Sequence, residues 1–192
     1  FRKTADRSVR VAKIATATEA IGTIEKNTDT FILTYGQFSL IDAVVAILDQ
    51  IGPAHVSLST WTAAHAHLER SAELLGSADL LSFRMIVDRS FQTRQPDYHH
   101  HMIELFGADC IRAIRTHAKF IVLRNERFSV VCRTSMNLNE NPRLENIEIS
   151  EDDEFARFFE SIVDEVFREV PAGSNSFTPK LNGIPESFPF AE

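Results

Sequence analysis

The stretch from Thr116 to Ile149, THAKFIVLRNERFSVVCRTSMNLNENPRLENIEI, constrains this chain more than any other part of it. It reads as two strands and a polar loop. Side chains two apart in a strand point to the same side of a sheet. His117 and Lys119 therefore share one face, with Phe120 and Val122 on the other. Asn125 and Glu126 read as the turn. Phe128, Val130 and Cys132 then alternate with Ser129, Val131 and Arg133 in a returning strand. That strand runs out at Thr134, and Ser135 and Asn137 follow, again two apart. Two adjacent strands thus bring an imidazole, an ammonium, a hydroxyl and a carboxamide to one sheet edge. A nucleophile or base among neutral and cationic donors suits an anionic phosphoryl group.

The remaining residues supply a domain to carry that edge. With 192 residues, 44% hydrophobic and 24% charged, the composition is that of one globular domain. Such a length buries a sizeable core without covalent staples. Only Cys110 and Cys132 are present, and Cys132 falls in the core-facing set of its strand, so reduced thiols in a cytoplasmic protein are expected. No apolar run is long enough to span a bilayer and no signal peptide is visible. The first residue is Phe1, which suggests a fragment or a processed chain. The net charge of −7 disfavours indiscriminate nucleic-acid binding. Its distribution softens that objection. Residues 84–143 are locally basic, whereas acid is concentrated between Glu145 and Glu169. Scattered surface arginine is the default for most of the basic set, with a basic face beside His117 and Lys119 as the sharper alternative.

Taken in order, residues 1–14 are basic and weakly patterned, and are expected to be a frayed arm. A short helix falls within 15–25. FILTY (31–35) is a strand by composition. Ser39 and Asp42 make an N-cap pair before an apolar helix over 41–51, which Gly52 and Pro53 stop. HVSLSTW (55–61) is the next strand, a helix follows near 63–75, and Leu80 to Val87 is a third strand. Residues 98–106 read as a helix, and 108–115 lead into the motif. Phe155, Phe158, Phe159, Ile162, Val163, Val166 and Phe167 give 151–170 an apolar helical stripe. Strands alternating with helices predict an α/β fold, a mixed sheet flanked by helices. Parallel strands in such folds carry ligands at their carboxyl ends. The expected organisation is an arm with a short helix over 1–28, the α/β domain over 29–170, and an irregular Pro/Gly/Ser-rich tail over 171–192.

Other candidate sites are weaker. His99, His100 and His101 are consecutive, and consecutive residues on a helix point in different directions, which is poor geometry for one metal ion. No spaced Cys, His or carboxylate set indicates a metal. Trp61 and Thr62 end a strand and either line the cleft or pack into the core. Asn139 and Asn141 read as turn caps. Glu145 and Glu148 compete for an acidic role beside the histidine.

The constellation resembles the phospholipase D-like superfamily, whose signature is His-x-Lys, then Ser-x-Asn, then a downstream Glu. The matching residues are His117 and Lys119, Ser135 and Asn137, and Glu145 in RLEN. The match covers about 115–149, and the order of elements before it also suits the fold. Two positions depart from the pattern. Arg124 or a neighbour stands where the family usually has Asp, and Thr134 stands where it usually has Gly.

The resemblance implies a phospholipase D-like sandwich and a phosphodiesterase that uses neither metal nor cofactor. His117 would attack phosphorus, Lys119 and Asn137 would hold the nonbridging oxygens, Ser135 would assist, and Glu145 would orient a histidine. A single motif implies a homodimer whose second copy supplies the second histidine. Single-motif members look like nucleases more often than lipases, so DNA is expected ahead of RNA and lipid last, with no membrane partner. Arg115, Arg124, Arg133 and Arg143 would contribute phosphate contacts. The chain is also similar to phospholipase D-like proteins of phage and prophage clusters. The alternative, given weight by the two departures, is a degenerate nucleic-acid-binding or assembly module of the same fold.

Overall fold

A computed structural model describes residues 5–13, 15–61, 69, 72–73, 80–90, 96–138 and 142–173. The order of elements is β1 (Asp6–Ala12), α1 (Ala17–Ile21), β2 (Thr28–Thr34), α2 (Leu40–Ile51), β3 (Ala54–Thr60), β4 (Leu80–Asp88) and α3 (Pro96–Phe106). A 3-10 turn at Ala108–Cys110 then leads to β5 (Ile111–Ile114), β6 (Phe120–Arg124), β7 (Ser129–Thr134), β8 (Glu145–Glu151) and α4 (Asp153–Glu169). The eight strands form one sheet in the order β1-β2-β8-β7-β6-β3-β4-β5. Pairs β1–β2, β3–β4 and β4–β5 are parallel, and the others are antiparallel. The expected α/β fold with a mixed sheet is therefore the one observed.

This topology decides where chemistry can gather. Only β6 and β8 run against the remaining strands. The carboxyl ends of β2, β3, β4, β5 and β7 consequently share one edge with the amino ends of β6 and β8. His117 and Lys119 precede β6, Ser135 and Asn137 follow β7, and Glu145 opens β8, so all five reach that edge.

Helices cover the sheet from both sides. On one face α1 to α3 pack against Ile32, Val56, Leu58, Ile121, Leu123, Val130, Cys132, Ile147 and Ile149. On the other, Val163, Val166, Phe155 and Phe159 of α4 meet Phe120, Val122 and Val131. The alternation read from the sequence is obeyed: Phe120 and Val122 face α4, and Ile121 and Leu123 face α2. Each fully buried Leu or Ile contributes about 1.5–3 kcal/mol of transfer free energy.

The α2 helix begins with a reciprocal capping box. Asp42 N–H donates to Ser39 Oγ at 3.3 Å, and Ser39 N–H donates to Asp42 Oδ2 at 2.8 Å. Ser39 is fully buried, so no water can replace its hydroxyl. A Ser39→Ala variant is expected to lose about 1 kcal/mol or slightly more of unfolding free energy, read by urea titration with an unchanged slope. Burial also holds the Cys132 thiol protonated, its pKa pushed up to about 12. Neither cysteine is in a disulfide.

Several elements differ from the sequence reading. The basic arm contains β1, an edge strand on β2. Its apolar Val9 and Val11 point outward, 76% and 59% exposed, so the usual burial signal is inverted. What holds β1 is polar: Ser8 Oγ donates to Thr30 Oγ1 at 3.0 Å, and Arg10 Nη1 donates to Ile21 O at 2.8 Å. Residues 111–114 form the short β5 where only a lead-in was expected. Residues 145–151 form an eighth strand, masked in the sequence by Glu and Asn between its isoleucines. Glu151 consequently belongs to β8, where it is buried against Lys26 at 2.9 Å, and α4 starts later under an Asp152 cap. The helix expected near 63–75 lies largely outside the described residues, and the tail beyond residue 173 wholly so. Among the described residues, no helix is long and apolar enough to cross a membrane.

Candidate active site

The segment carrying His117 and Lys119 is not itself strand, contrary to the sequence reading, because β6 begins only at Phe120. It is pinned instead by polar contacts. Thr116 N–H donates to Asp88 Oδ2 at 2.9 Å, and Ser59 Oγ donates to Ala118 O at 2.9 Å. Thr134 N–H reaches Lys119 O at 3.2 Å, carrying the β6–β7 ladder one step past the strand. Asp88 is in turn oriented by Ser90 N–H at 2.9 Å. Neither Ser59 nor Asp88 was singled out from the sequence. Their signal was position alone, since both sit at carboxyl ends of parallel strands.

On that frame the His117 side chain is exposed and Lys119 half-buried. Lys119 Nζ lies 3.3 Å from His117 Nδ1 and 3.1 Å from His117 O. Burial holds the lysine pKa below its ordinary value, and the nearby Glu145 carboxylate opposes part of that effect. The Trp61 ring packs on His117 with centroids 5.4 Å apart and planes at 53°. Trp61 is thus half-buried at the strand end against the candidate histidine.

Ser135 meets the carboxylate of Glu145, which also acts on Lys119. Its Oγ donates to Glu145 Oε2 and accepts from Asn146 N–H at 3.0 Å. Thr134, which stands where the resembling family usually has Gly, is accommodated by hydrogen bonding. Its Oγ1 donates to Asn146 O at 2.6 Å and accepts from Met136 N–H at 3.0 Å, which shapes the turn that presents Ser135. Asn137 is half-buried beside the start of α2, its carbonyl accepting from Leu40 N–H at 3.4 Å. Among the described residues, the Asn137 Oδ1 atom is buried without a hydrogen-bond partner.

Glu145 and Glu148 are separated by the pleat. Glu145 opposes Thr34 across the β2–β8 ladder, where it accepts from Ser135 and acts on Lys119. Glu148 is on the α4 face, paired with Arg133. Of the four arginines expected at phosphate, Arg115 and Arg143 are exposed in the segments that flank this edge. Arg124 is not there. It ends β6 at the opposite edge, its guanidinium divided between Asp153 at 2.8 Å and Glu160 at 2.7 Å. Arg133 points to the α4 face, over the Phe155 ring at 5.1 Å. In both cases the period of 2 turns the side chain toward the acids of β8 and α4.

The three histidines divide as helix geometry requires. His99 is buried, with its pKa lowered mainly by that burial and further by His100, while His100 lies 3.4 Å from Glu104 on the solvent side. Among the described residues, no group of three or more His, Cys, Asp or Glu is arranged to hold a metal ion.

The fold is one shared with solved structures of low sequence identity. NucT from Helicobacter pylori superposes with a TM-score of 0.54 at 11% identity, over 75% of this chain and 99% of NucT. The polyphosphate kinase of Porphyromonas gingivalis superposes with a TM-score of 0.50 at 14% identity. That match covers 72% of this chain, which spans only 26% of the kinase. Nuc from Salmonella typhimurium, a phospholipase D family member, gives a TM-score of 0.49 at 13% identity over 79% of this chain and 99% of Nuc. At these identities the likeness is one of fold. No protein-family profile and no curated protein sequence matches the chain.

Proposed function

We propose that this protein is a nuclease-type phosphodiesterase of the phospholipase D-like kind, acting inside the cell on nucleic acid, DNA ahead of RNA. The observation that carries the proposal is the meeting of His117, Lys119, Ser135 and Glu145 at one sheet edge, with Lys119 Nζ 3.3 Å from His117 Nδ1.

In the proposed reaction an imidazole nitrogen of His117 forms a bond to phosphorus as the bond to the leaving oxygen breaks. That oxygen takes a proton from a second histidine. Water then attacks the phosphohistidine, losing a proton to the same histidine, and the His117–phosphorus bond breaks. Lys119 and the Asn137 amide hold the nonbridging oxygens, Ser135 adds a hydroxyl, and Glu145 keeps the array charged and oriented. Lys119 rests against His117 Nδ1, and a phosphoryl oxygen would take over that contact. The second histidine is His117 of a second copy, brought across a two-fold axis in a homodimer. Arg115 and Arg143 line the approach for the polyanion.

The same edge serves the alternative, a module that grips phosphate without cleaving it. The two separate in one experiment: a fluorescent single- or double-stranded oligonucleotide and bis(4-nitrophenyl) phosphate are incubated with the protein in EDTA. Cleavage of either is the expected result. Retention of the oligonucleotide without cleavage would favour the binding module.

A further inference from the structure

We infer that Trp61 is a positioning residue for His117, holding the imidazole in the orientation from which it meets a phosphoryl group. The contact rests on geometry alone, and its catalytic consequence rests on the phosphodiesterase reading above. Trp61 is half-buried immediately past β3, and its ring lies 5.4 Å from that of His117, tilted by 53°. This is a separation at which aromatic pairs attract.

The backbone beneath His117 is fixed by Asp88 through Thr116 and by Ser59 through Ala118. Those bonds hold the Cα in place but leave the two side-chain torsions open, and the second torsion of a histidine is broad. Lys119 touches Nδ1 but hangs on a flexible four-carbon stem. The indole has only two torsions of its own and is partly buried, which makes it the rigid wall of the pair. Among the described residues, Lys119 touches the imidazole and the Glu145 carboxylate acts on Lys119, while Asp88 is bonded to Thr116 and Ser90. Removing the indole therefore frees the ring without removing a charge. Misplacing a reacting group by about 1 Å is enough to cost about 100-fold in rate.

Trp61 is the only tryptophan in the chain, so its emission reports this contact in the intact protein. A protonated imidazole quenches a neighbouring indole more strongly than a neutral one. Removing that neighbour in His117→Ala is therefore expected to raise the emission above that of the parent protein. Equal emission from the parent protein and His117→Ala would overturn the contact. With bis(4-nitrophenyl) phosphate, Trp61→Ala should lower kcat by about 30-fold with KM nearly unchanged, and Trp61→Phe should stay within about threefold of the parent. Equal kcat in Trp61→Ala and parent would overturn the positioning role. A parent protein that cleaves nothing would sink the phosphodiesterase reading instead. Positioning is then read from the His117 ring-proton resonances. Trp61→Ala should collapse them toward averaged shifts, and unmoved resonances would overturn the inference.

Discussion

A His117→Ala variant should cleave bis(4-nitrophenyl) phosphate and oligonucleotides at no measurable rate while remaining folded. Among the described residues, His117 is the only imidazole at the candidate edge of one copy, since His99 is buried in α3 and His100 lies beside Glu104. If its nitrogen forms the covalent bond, no other described histidine is placed to substitute for it. Removing a nucleophile of this kind costs on the order of 10³-fold or more in kcat. His117 is exposed, so the unfolding free energy should move by no more than about 0.5 kcal/mol. In a homodimer the same change removes both the nucleophile and the acid of the partner copy, which makes the loss complete. Unchanged circular dichroism and melting temperature beside abolished turnover is the expected pair of results. Parent-like turnover would place the chemistry elsewhere in the chain.

Lys119→Ala should be the next most damaging change, lowering kcat by about 10²–10³-fold and weakening oligonucleotide retention. The ammonium is half-buried beside Glu145 and makes the closest contact to the His117 ring nitrogen. Burial lowers its pKa, so the protonated form it needs is lost at lower pH than in an ordinary lysine. Activity should therefore fall on an alkaline limb that begins below the usual lysine range. Glu145 raises the Lys119 pKa, and Glu145→Gln should accordingly move that limb further toward acid. Stability responds with the opposite sign. Between the lowered folded pKa and the unfolded one, the folded state binds fewer protons, so this group's contribution to unfolding free energy increases as pH rises through that window. A pH–rate profile of parent and Glu145→Gln, with chemical denaturation at the same pH values, reads both effects. An alkaline limb that stays put in Glu145→Gln would remove Lys119 from the account.

The parts of this picture that were legible in the sequence share one property: they are dictated by local periodicity. The facing of Phe120 and Val122 away from Ile121 and Leu123, the Ser39–Asp42 box and the apolar stripe of α4 follow from periods of 2 and 3.6. The convergence of His117, Lys119 and Ser135 was legible because two hairpin-related strands suffice to build it, whereas Glu145 comes from β8, which was not read as a strand. What escaped was decided by pairing across the sheet. Nothing in DRSVRVA says that β1 will lie parallel to β2 with its valines outward. Arg124 and Arg133 were expected at phosphate because they are basic and near the motif in sequence. Their side of the pleat gives them to Asp153, Glu160 and Glu148 instead. Asp88 and Ser59 support the His117 segment from strands 28 and 59 residues away in sequence, a relation no local pattern contains.

The central claim is a transient covalent bond between phosphorus and one imidazole. Its most direct measurement is a rapid mix of the protein with bis(4-nitrophenyl) phosphate, an alkaline quench within one turnover, and peptide mass spectrometry. The expected product is a 4-nitrophenyl phosphoryl group on the peptide containing His117, formed with release of one 4-nitrophenolate and absent from His117→Ala. Steady turnover with every histidine unmodified at all quench times, or the adduct on another residue, would contradict it.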